Sequence, residues 1–285
     1  MRDLLTPKQV ARALDVSESS IKRWCDRGVL TAQHTAGGHR RISRAVLTEF
    51  LRGGRHQLVN PEALGLPATS GRTERVVERA CDQMAAALVA GDESRCQQIA
   101  RDLYLADHSV AVLCDDVFAA AMRQIGIQWE EGKTEIYQER RGCEILLRIL
   151  HQLRLMLPPA LPDAPLAIGG TATSDGYSLG TAMAELVLRS NGWNANSLGD
   201  NLPFETLAAA LRDQQPKLFW LSCTHITDPD HFLAGYERHI APFAENVTIV
   251  VGGMALTKEI RQKMKFTVHC DSMQQFENFC KRPNA

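Results

Sequence analysis

Closely spaced cysteines are missing from this chain of 285 residues. It has eight cysteines, but none forms a Cys-x-x-Cys pair, and the two nearest are ten positions apart. Thiolate zinc sites typically use such pairs, and small disulfide-bonded domains have a denser set of cysteines. The pattern argues against both kinds of site and favours a reducing compartment, which we expect to be the cytoplasm.

Long apolar stretches are also missing. The longest, from Val247 to Leu256, contains two glycines and is much shorter than the roughly 20 residues that span a bilayer. The first seven residues, Met-Arg-Asp-Leu-Leu-Thr-Pro, contain no apolar core that leads to a cleavage site. We therefore expect neither a signal peptide nor a membrane partner.

Familiar catalytic patterns are absent as well. The sequence shows no Ser-His-Asp, Cys-His or paired-carboxylate arrangement. Such arrangements supply the nucleophile, the base or the acid in many enzymes. We therefore expect a protein that is not an enzyme.

The charge that is present is unevenly distributed. Residues 1–56 hold eleven Lys or Arg and five Asp or Glu, a net charge of +6, whereas the whole chain has a net charge of −1. The remainder is therefore acidic. A basic head on an acidic body is the distribution expected when one end of a protein meets a polyanionic nucleic acid.

Residues 1–54 have the pattern of a winged helix-turn-helix. A first helix is predicted to begin at Thr6-Pro7-Lys8-Gln9, and a second is predicted to begin after Ser17 and end at Gly28. Glycines at 37 and 38 indicate a hairpin, or wing, before a third helix that opens near Ser43. The second helix suits the major groove, and the wing suits phosphates or the minor groove.

Within this head, the polar and basic residues of the second helix and of the wing are the candidate contacts to double-stranded DNA. Arg23 is predicted either to read a base or to clamp a phosphate, whereas Trp24 is expected in the core. The stretch from Thr35 to Arg41, with Ile21-Lys22-Arg23-Trp24 ahead of it, resembles the MerR-type and excisionase-type winged helices. The candidates are Ser17, Ser19, Ser20, Lys22, Arg23, Gly37, Gly38, His39, Arg40 and Arg41.

Three further segments follow the head. Residues 55–72, rich in Gly, Pro, Ser and Asn, are interpreted as a linker. Residues 73–160 predict a four-helix bundle with breaks near Gly91, His108 and Gly132. Residues 161–285 alternate short apolar strands with helices and predict a doubly wound, Rossmann-like parallel sheet. The predicted strands are 165–169, 194–198, 217–222, 247–251 and 266–269, and the predicted helices are 179–191, 204–214, 230–243, 255–264 and 273–281. The fold class is therefore multidomain α and α/β.

The last two segments resemble the paired bundle and Rossmann-like module of cobalamin-binding proteins. The family has Asp-x-His-x-x-Gly after its first strand, then a Ser-containing motif, then Gly-Gly. Here Asp175-Gly176-Tyr177-Ser178-Leu179-Gly180 is followed by Ser222-Cys223-Thr224 and by Gly252-Gly253. The resemblance implies a ligand pocket at the strand ends, where glycines allow close approach. By contrast, the turn after Gly169 lacks the Gly-x-Gly-x-x-Gly that binds dinucleotides.

A winged helix before such a module resembles the LitR/CarH light-dependent repressors, which use adenosylcobalamin. In that family a Trp-x(9)-Glu-His element covers the upper face of the corrin, and a histidine binds cobalt from below. In this sequence Trp129 and Glu139 are retained, but Arg140 stands at the upper histidine position, Glu130 at an alternative one and Tyr177 at the lower one. Imidazole is a good cobalt ligand, whereas a phenol, with a pKa of about 10 in model peptides, is a poor one. The implied pocket residues are Trp129, Glu130, Glu139, Arg140, Asp175, Tyr177, Gly180, Ser222, Thr224, Gly252 and Gly253.

Several alternatives stay open at this stage. The pocket is degenerate and serves oligomerisation, or it holds a different ligand, or it binds cobalamin without a protein histidine. A haem held by His225 or His231 on the loop after the third strand is a further alternative. For function, a DNA-binding regulator that forms a dimer or tetramer competes with a corrinoid carrier or a subunit of a methyltransferase.

Overall fold

The chain divides into two units, residues 1–109 and residues 110–285. The computed structural model describes residues 4–35, 37–52, 56, 59–64 and 74–281. The division falls inside the predicted 73–160 bundle, so that the first two bundle helices belong to the first unit and the later ones to the second. No helix in the described ranges is both long enough and apolar enough to cross a membrane.

The first unit begins with the predicted helix-turn-helix. Helix α1 (Pro7–Ala13) starts at the predicted cap, where Thr6 Oγ1 accepts a hydrogen bond from the Gln9 amide and the Thr6 amide donates to Gln9 Oε1. Helix α2 (Glu18–Asp26) starts at Ser17, which accepts from the Ser20 amide. The reciprocal cap of α1 and the single cap of α2 satisfy amides that a helix start leaves unpaired. Both predicted helix starts are confirmed.

The wing is a short antiparallel sheet. Strands β1 (Leu4–Leu5), β2 (Gln33–His34) and β3 (Arg40–Ser43) lie in the order β1-β3-β2. Gly38 has a φ of +75°, so the turn uses a left-handed residue where glycine is the favoured choice. Helix α3 (Arg44–Arg52) follows directly. The predicted hairpin and third helix are therefore present.

Part of the predicted linker packs against the helix-turn-helix head. The amides of Val59 and Asn60 donate to the carbonyl oxygen of Ala13 at 2.8 and 2.9 Å. A 3₁₀ helix, Pro61–Leu64, then buries Leu64 in the head core. The linker prediction is thus wrong for residues 59–64. Two amides of this segment pair with a carbonyl oxygen at the end of α1, and its leucine belongs to the core of the head. Residues 55, 57, 58 and 65–72 of that segment lie outside the described residues.

Two helices complete the first unit. Helix α4 (Glu74–Ala90) and helix α5 (Glu93–Leu105) pack against each other. Leu105, at the end of α5, is buried in the same apolar core as Leu51 of α3 and Leu64. Asp102 is also buried on α5, and burial raises the pKa of its carboxyl to about 7. The helix-turn-helix head is therefore joined to α5 through a shared core.

The second unit opens with a long interrupted helix. Helix α6 (Val110–Val112), a π-helical stretch (Leu113–Ala119) and helix α7 (Ala120–Glu130) follow one another without a break in the helical backbone. After a turn with Gly132 at a φ of +71° comes helix α8 (Ile136–Met156), whose Leu146, Leu150 and Leu153 are buried. Single π-helical turns occur preferentially at functional sites.

A parallel sheet forms the rest of the second unit. Its strands are β4 (Leu166–Thr171), β5 (Asn194–Ser197), β6 (Leu218–Ser222), β7 (Thr248–Gly252) and β8 (Val268–Cys270). They lie in the order β5-β4-β6-β7-β8. All five predicted strands are present, with ends shifted by one or two residues. The chain reverses its winding at β4, which is where such sheets bind ligands.

Helices alternate with these strands and confirm the predicted fold class. They are α9 (Ser178–Ser190), α10 (Phe204–Gln214), α11 (Pro229–His239), α12 (Lys258–Arg261) and α13 (Met273–Cys280). Two predicted helices were too long. The predicted helix 230–243 ends at His239 and continues as a 3₁₀ segment, and the predicted helix 255–264 starts only after its cap at Thr257.

We expect Leu105→Ala to destabilise the helix-turn-helix head, although Leu105 lies outside it in sequence. Removing a buried leucine leaves a cavity that costs about 2–5 kcal/mol. Amides of β3 and α3 should then exchange with deuterium at least ~20-fold faster, as measured by mass spectrometry. Leu155→Ala is the matched control, because Leu155 is 74% exposed. Unchanged exchange in β3 and α3 would show that α5 does not stabilise the head.

Candidate functional site

The predicted major-groove residues lie on an open face of α2. Ser17, Ser19, Lys22 and Arg23 are exposed, and Ser20 is half-buried. Lys22 Nζ pairs with Glu18 at 2.9 Å, whereas no ion-pair partner for Arg23 lies in the part of the chain that is described. The guanidinium of Arg23 is therefore the cation on this face that is free to meet a base or a phosphate.

The basic residues of the wing differ in their exposure and in their hydrogen-bond partners. His39 is exposed at the turn next to Gly37 and Gly38, and Arg41 is half-buried with its guanidinium on the carbonyl oxygen of Arg40. Arg40 Nη2 donates to Asp26 Oδ1 at 2.6 Å, which ties the wing to the last turn of α2. Sequence reasoning missed this pair because Asp26 and Arg40 lie fourteen positions apart.

A large cavity lies in the second unit at the carboxyl ends of the strands. Its volume is about 820 Å³, which is within the range of small-molecule sites. Helices α7 and α8 form one wall, and the ends of β6, β7 and β8 with the start of α9 form the other. Ten of the eleven predicted pocket residues line it: Trp129, Glu130, Glu139, Arg140, Tyr177, Gly180, Ser222, Thr224, Gly252 and Gly253.

Asp175, the eleventh predicted residue, lies behind the wall of the cavity. Its side chain is buried and accepts hydrogen bonds from three backbone amides, those of Tyr177 at 3.1 Å, Thr224 at 2.6 Å and His225 at 3.2 Å. A buried carboxylate needs such donors to offset its lost hydration. Asp175 therefore joins the loop after β4 to the loop after β6 and shapes the floor of the cavity.

The glycines of the pocket serve the packing of the protein. A Cβ atom on Gly180 would come within 2.7 Å of Ser222 Oγ, and one on Gly252 within 2.8 Å of the Cys270 carbonyl oxygen. Gly253 has a φ of +113° and lies against the backbone of Cys223. These glycines line the cavity, as the resemblance implied, and neighbouring protein atoms lie where a Cβ atom would be.

The two residues at the main histidine positions touch each other. The guanidinium carbon of Arg140 lies 5.5 Å from the centre of the Tyr177 ring. At this distance a cation is attracted to the electron-rich face of the ring. Arg140 belongs to α8 and Tyr177 to the loop after β4, so this contact bridges the two walls of the cavity.

Trp220 is a cavity residue that the sequence analysis missed. It is 2% exposed, and its Nε1 donates to Thr181 Oγ1 at 2.9 Å. A Cβ atom on Gly169 would lie 2.1 Å from the indole, so Gly169 makes room for it. The indole fills the space between β4 and α9. The apolar pattern of residues 217–222 predicted an apolar residue at this position. It did not predict which face of the sheet the side chain occupies.

The helical wall adds further residues that sequence reasoning missed. Ala119, Met122, Gly126 and Trp129 recur at intervals of three or four and line the cavity. Asp115, in the π-helical stretch, accepts from the amides of Met273 and Gln274 at 2.9 and 2.8 Å. A carboxylate at the start of α13 is stabilised by the helix dipole. The π-helical stretch therefore positions α13 beside the cavity.

Comparison with known proteins supports both parts of the chain. A helix-turn-helix domain matches residues 4–55, and a B12 binding domain matches residues 80–154. No curated protein sequence matches the chain. The chain therefore carries a helix-turn-helix domain followed by a domain of the B12-binding type.

One solved structure shares its fold with much of this chain. The monomethylamine corrinoid protein of Methanosarcina barkeri is 16% identical, with a TM-score of 0.60 over 70% of this chain and 96% of that one. A cobalamin-binding protein from Desulfitobacterium hafniense is also 16% identical, with a TM-score of 0.38 over 70% and 96%. The methanol:cobalamin methyltransferase complex of Methanosarcina barkeri is 17% identical, with a TM-score of 0.37 over 78% and 87%. The first of these likenesses shows a common fold.

The donor atoms of the cavity do not fit a corrinoid whose cobalt is bound by the protein. No histidine among the described residues lines the cavity, and His225 instead hydrogen-bonds Thr227 on its loop. Burial raises the pKa of the Cys143 and Cys270 thiols to about 11, so neither supplies a thiolate at neutral pH. Within the described residues, no group of three or more His, Cys, Asp or Glu is arranged to hold a metal ion.

We expect protein purified without added cobalamin to be colourless, and added cobalamin to bind weakly. No histidine of the described residues lines the cavity, and the Arg140 guanidinium already covers the Tyr177 ring. Absorbance spectra after desalting measure what is retained. Tyr177→His combined with Arg140→His should raise the retained fraction, because it restores both ligands. A wild-type protein that keeps one cobalamin per chain through desalting would contradict this expectation.

Proposed function

We propose that this chain is a DNA-binding transcriptional regulator whose second unit senses a ligand without binding cobalt through a protein side chain. The observation that carries the DNA-binding part is the basic head, residues 1–56, which has a net charge of +6 and exposes Lys22 and Arg23 on α2 and His39 on the wing. Such a surface meets the major groove and the flanking phosphates. The role is regulatory and not enzymatic.

The cavity supports a sensing role. Its volume is about 820 Å³, so the site has room for a ligand although no histidine of the described residues lines it. The contact between Arg140 and Tyr177 closes one side of it and breaks if a ligand enters there. A resemblance to the LitR/CarH repressors is compatible with this arrangement, but the chemistry of the site differs from theirs.

A corrinoid carrier is the second candidate. The likeness to the monomethylamine corrinoid protein, over 96% of that chain, favours it. The basic helix-turn-helix head and the lack of a cavity histidine favour the regulator. The cobalamin-retention experiment described above separates the two candidates, since a carrier must hold its corrinoid.

We expect Arg40→Ala with Arg41→Ala to weaken DNA binding strongly and to lower its salt dependence. Each lost phosphate contact reduces the slope of log K against log salt by about 0.9. Fluorescence anisotropy with a site that the wild-type protein selects from random DNA gives both quantities.

The matched control removes the same charge from the second unit. Arg212 and Arg238 are exposed on α10 and α11, so Arg212→Ala with Arg238→Ala should leave the slope unchanged. Equal losses in the two double variants would indicate a general charge effect, and would remove the wing from the proposed interface.

The proposed regulator works as a dimer or tetramer, since one small head binds DNA weakly. Four large apolar side chains around the turn between α7 and α8, Ile127, Trp129, Ile136 and Tyr137, are 49–63% exposed. Exposed apolar surface of this kind favours association. We therefore infer that α7 and α8 contribute to contact with a second copy.

We expect the full chain to form a dimer or tetramer without any ligand, as measured by light scattering. Ile127→Asp with Ile136→Asp should weaken association at least ~10-fold, because it places charge on the apolar face. Leu155→Asp with Leu161→Asp is the control, since these leucines are 74% and 72% exposed on other parts of the second unit. A monomeric wild-type protein would refute constitutive association.

A further inference from the structure

The walls of the cavity are apolar and rich in aromatic and thioether groups. Trp129, Tyr177 and Phe276 line it together with Met122, Met183 and Met254. Methionine side chains adapt to ligands of different shape, and aromatic faces attract cations. The walls therefore suit a flat, largely apolar molecule that carries positive charge.

The charged side chains that line the cavity also favour a positively charged ligand. They comprise four carboxylates, from Asp115, Glu130, Glu139 and Asp271, and two guanidiniums, from Arg123 and Arg140. Asp115 is committed to the amides at the start of α13. Glu130, by contrast, is exposed at the cavity and has no ion pair among the described residues. The charged lining is thus net negative, with a carboxylate available to a ligand.

Arg140 occupies the position that a positively charged ligand would take. Its guanidinium is planar and lies over the Tyr177 ring at 5.5 Å, and its Nε is 3.8 Å from Glu139 Oε2. The side chain of Arg140 is 62% exposed, so it can swing into solvent at low cost. The protein therefore holds one of its own cations on an aromatic face inside the cavity.

We propose that the cavity binds a planar lipophilic cation, which displaces the Arg140 guanidinium from the Tyr177 ring. This inference rests on the proposed sensing function and names its ligand class. The aromatic rings and methionines contact the apolar plane of the ligand. Glu130 and Glu139 balance its charge, and the displaced Arg140 can pair more closely with Glu139. Binding then separates α8 from the loop after β4, the two elements that the contact joins.

A pair of dyes with the same xanthene frame tests the sign of the charge. Rhodamine 6G is a cation, and fluorescein is an anion at pH 8. With the full-length protein, we expect saturable binding of rhodamine 6G by fluorescence anisotropy and at least ~10-fold weaker binding of fluorescein. Preference for fluorescein would overturn the proposal, and so would binding of neither dye.

Variants test the displacement. Arg140→Gln should bind rhodamine 6G about five-fold more tightly, because the competing cation is gone and such a contact corresponds to a factor of about five. Glu130→Gln should bind it about three- to ten-fold more weakly. Glu131→Gln is the matched control, because Glu131 pairs with Lys133 at 2.6 Å and does not line the cavity. Its binding of rhodamine 6G should be unchanged. Weaker binding by Arg140→Gln would refute the displacement.

DNA binding in the same samples separates failure of the ligand class from failure of the proposed function. We expect saturating rhodamine 6G to change the affinity for the selected DNA site at least ~3-fold. If the dye binds as described and DNA affinity does not change, the ligand class holds and the sensing function fails. If neither dye binds while the site is bound normally, the ligand class fails and DNA binding stands.

Discussion

The buried carboxylate of Asp175 is the interaction on which the ligand site depends. Three amides from two loops converge on it, while its carbonyl oxygen accepts from the Asn201 amide and from the Thr171 hydroxyl. Loops after parallel strands have no ladder partners of their own, so an internal acceptor must satisfy their amides. Because the same carboxylate holds the Tyr177 and Thr224 backbones, the position of the cavity floor depends on one side chain that does not line the cavity.

Around this fixed floor, the chemistry of the cavity differs from that of the family it resembles. The shape persists through packing that is internal to the protein: Gly180 against Ser222, Gly252 against Cys270, and Gly169 beneath Trp220. The side chains facing the space are less constrained, and the two main histidine positions hold Arg140 and Tyr177 in contact with each other. The shape of the cavity therefore depends on backbone and glycine contacts, whereas its surface chemistry depends on the side chains that face the space.

Local patterns predicted most of the fold, since they depend on neighbours in the chain. The cap at Thr6, the glycine wing and the five strands all follow from short-range rules. Contacts between distant positions were missed: Arg40 with Asp26, Trp220 with Thr181, and Leu64 with Leu105. For the site, the motif spacing located ten of the eleven residues at the cavity, but it assigned the glycines and Asp175 to the ligand. Their roles within the protein depend on distances between atoms in the folded chain, which the spacing of motifs along the sequence does not give.

The shared core of Leu51, Leu64 and Leu105 also bears on how DNA is arranged. A head on a loose tether can reach half-sites at many separations, because the chain between them absorbs the difference. Here the head and α5 are packed as one body, so the direction of α2 is fixed with respect to α5. If two copies associate through this first unit, their heads would accept only half-sites whose separation and helical phase match that geometry. Insertion of half a helical turn between them, about five base pairs, would turn one half-site away from its head.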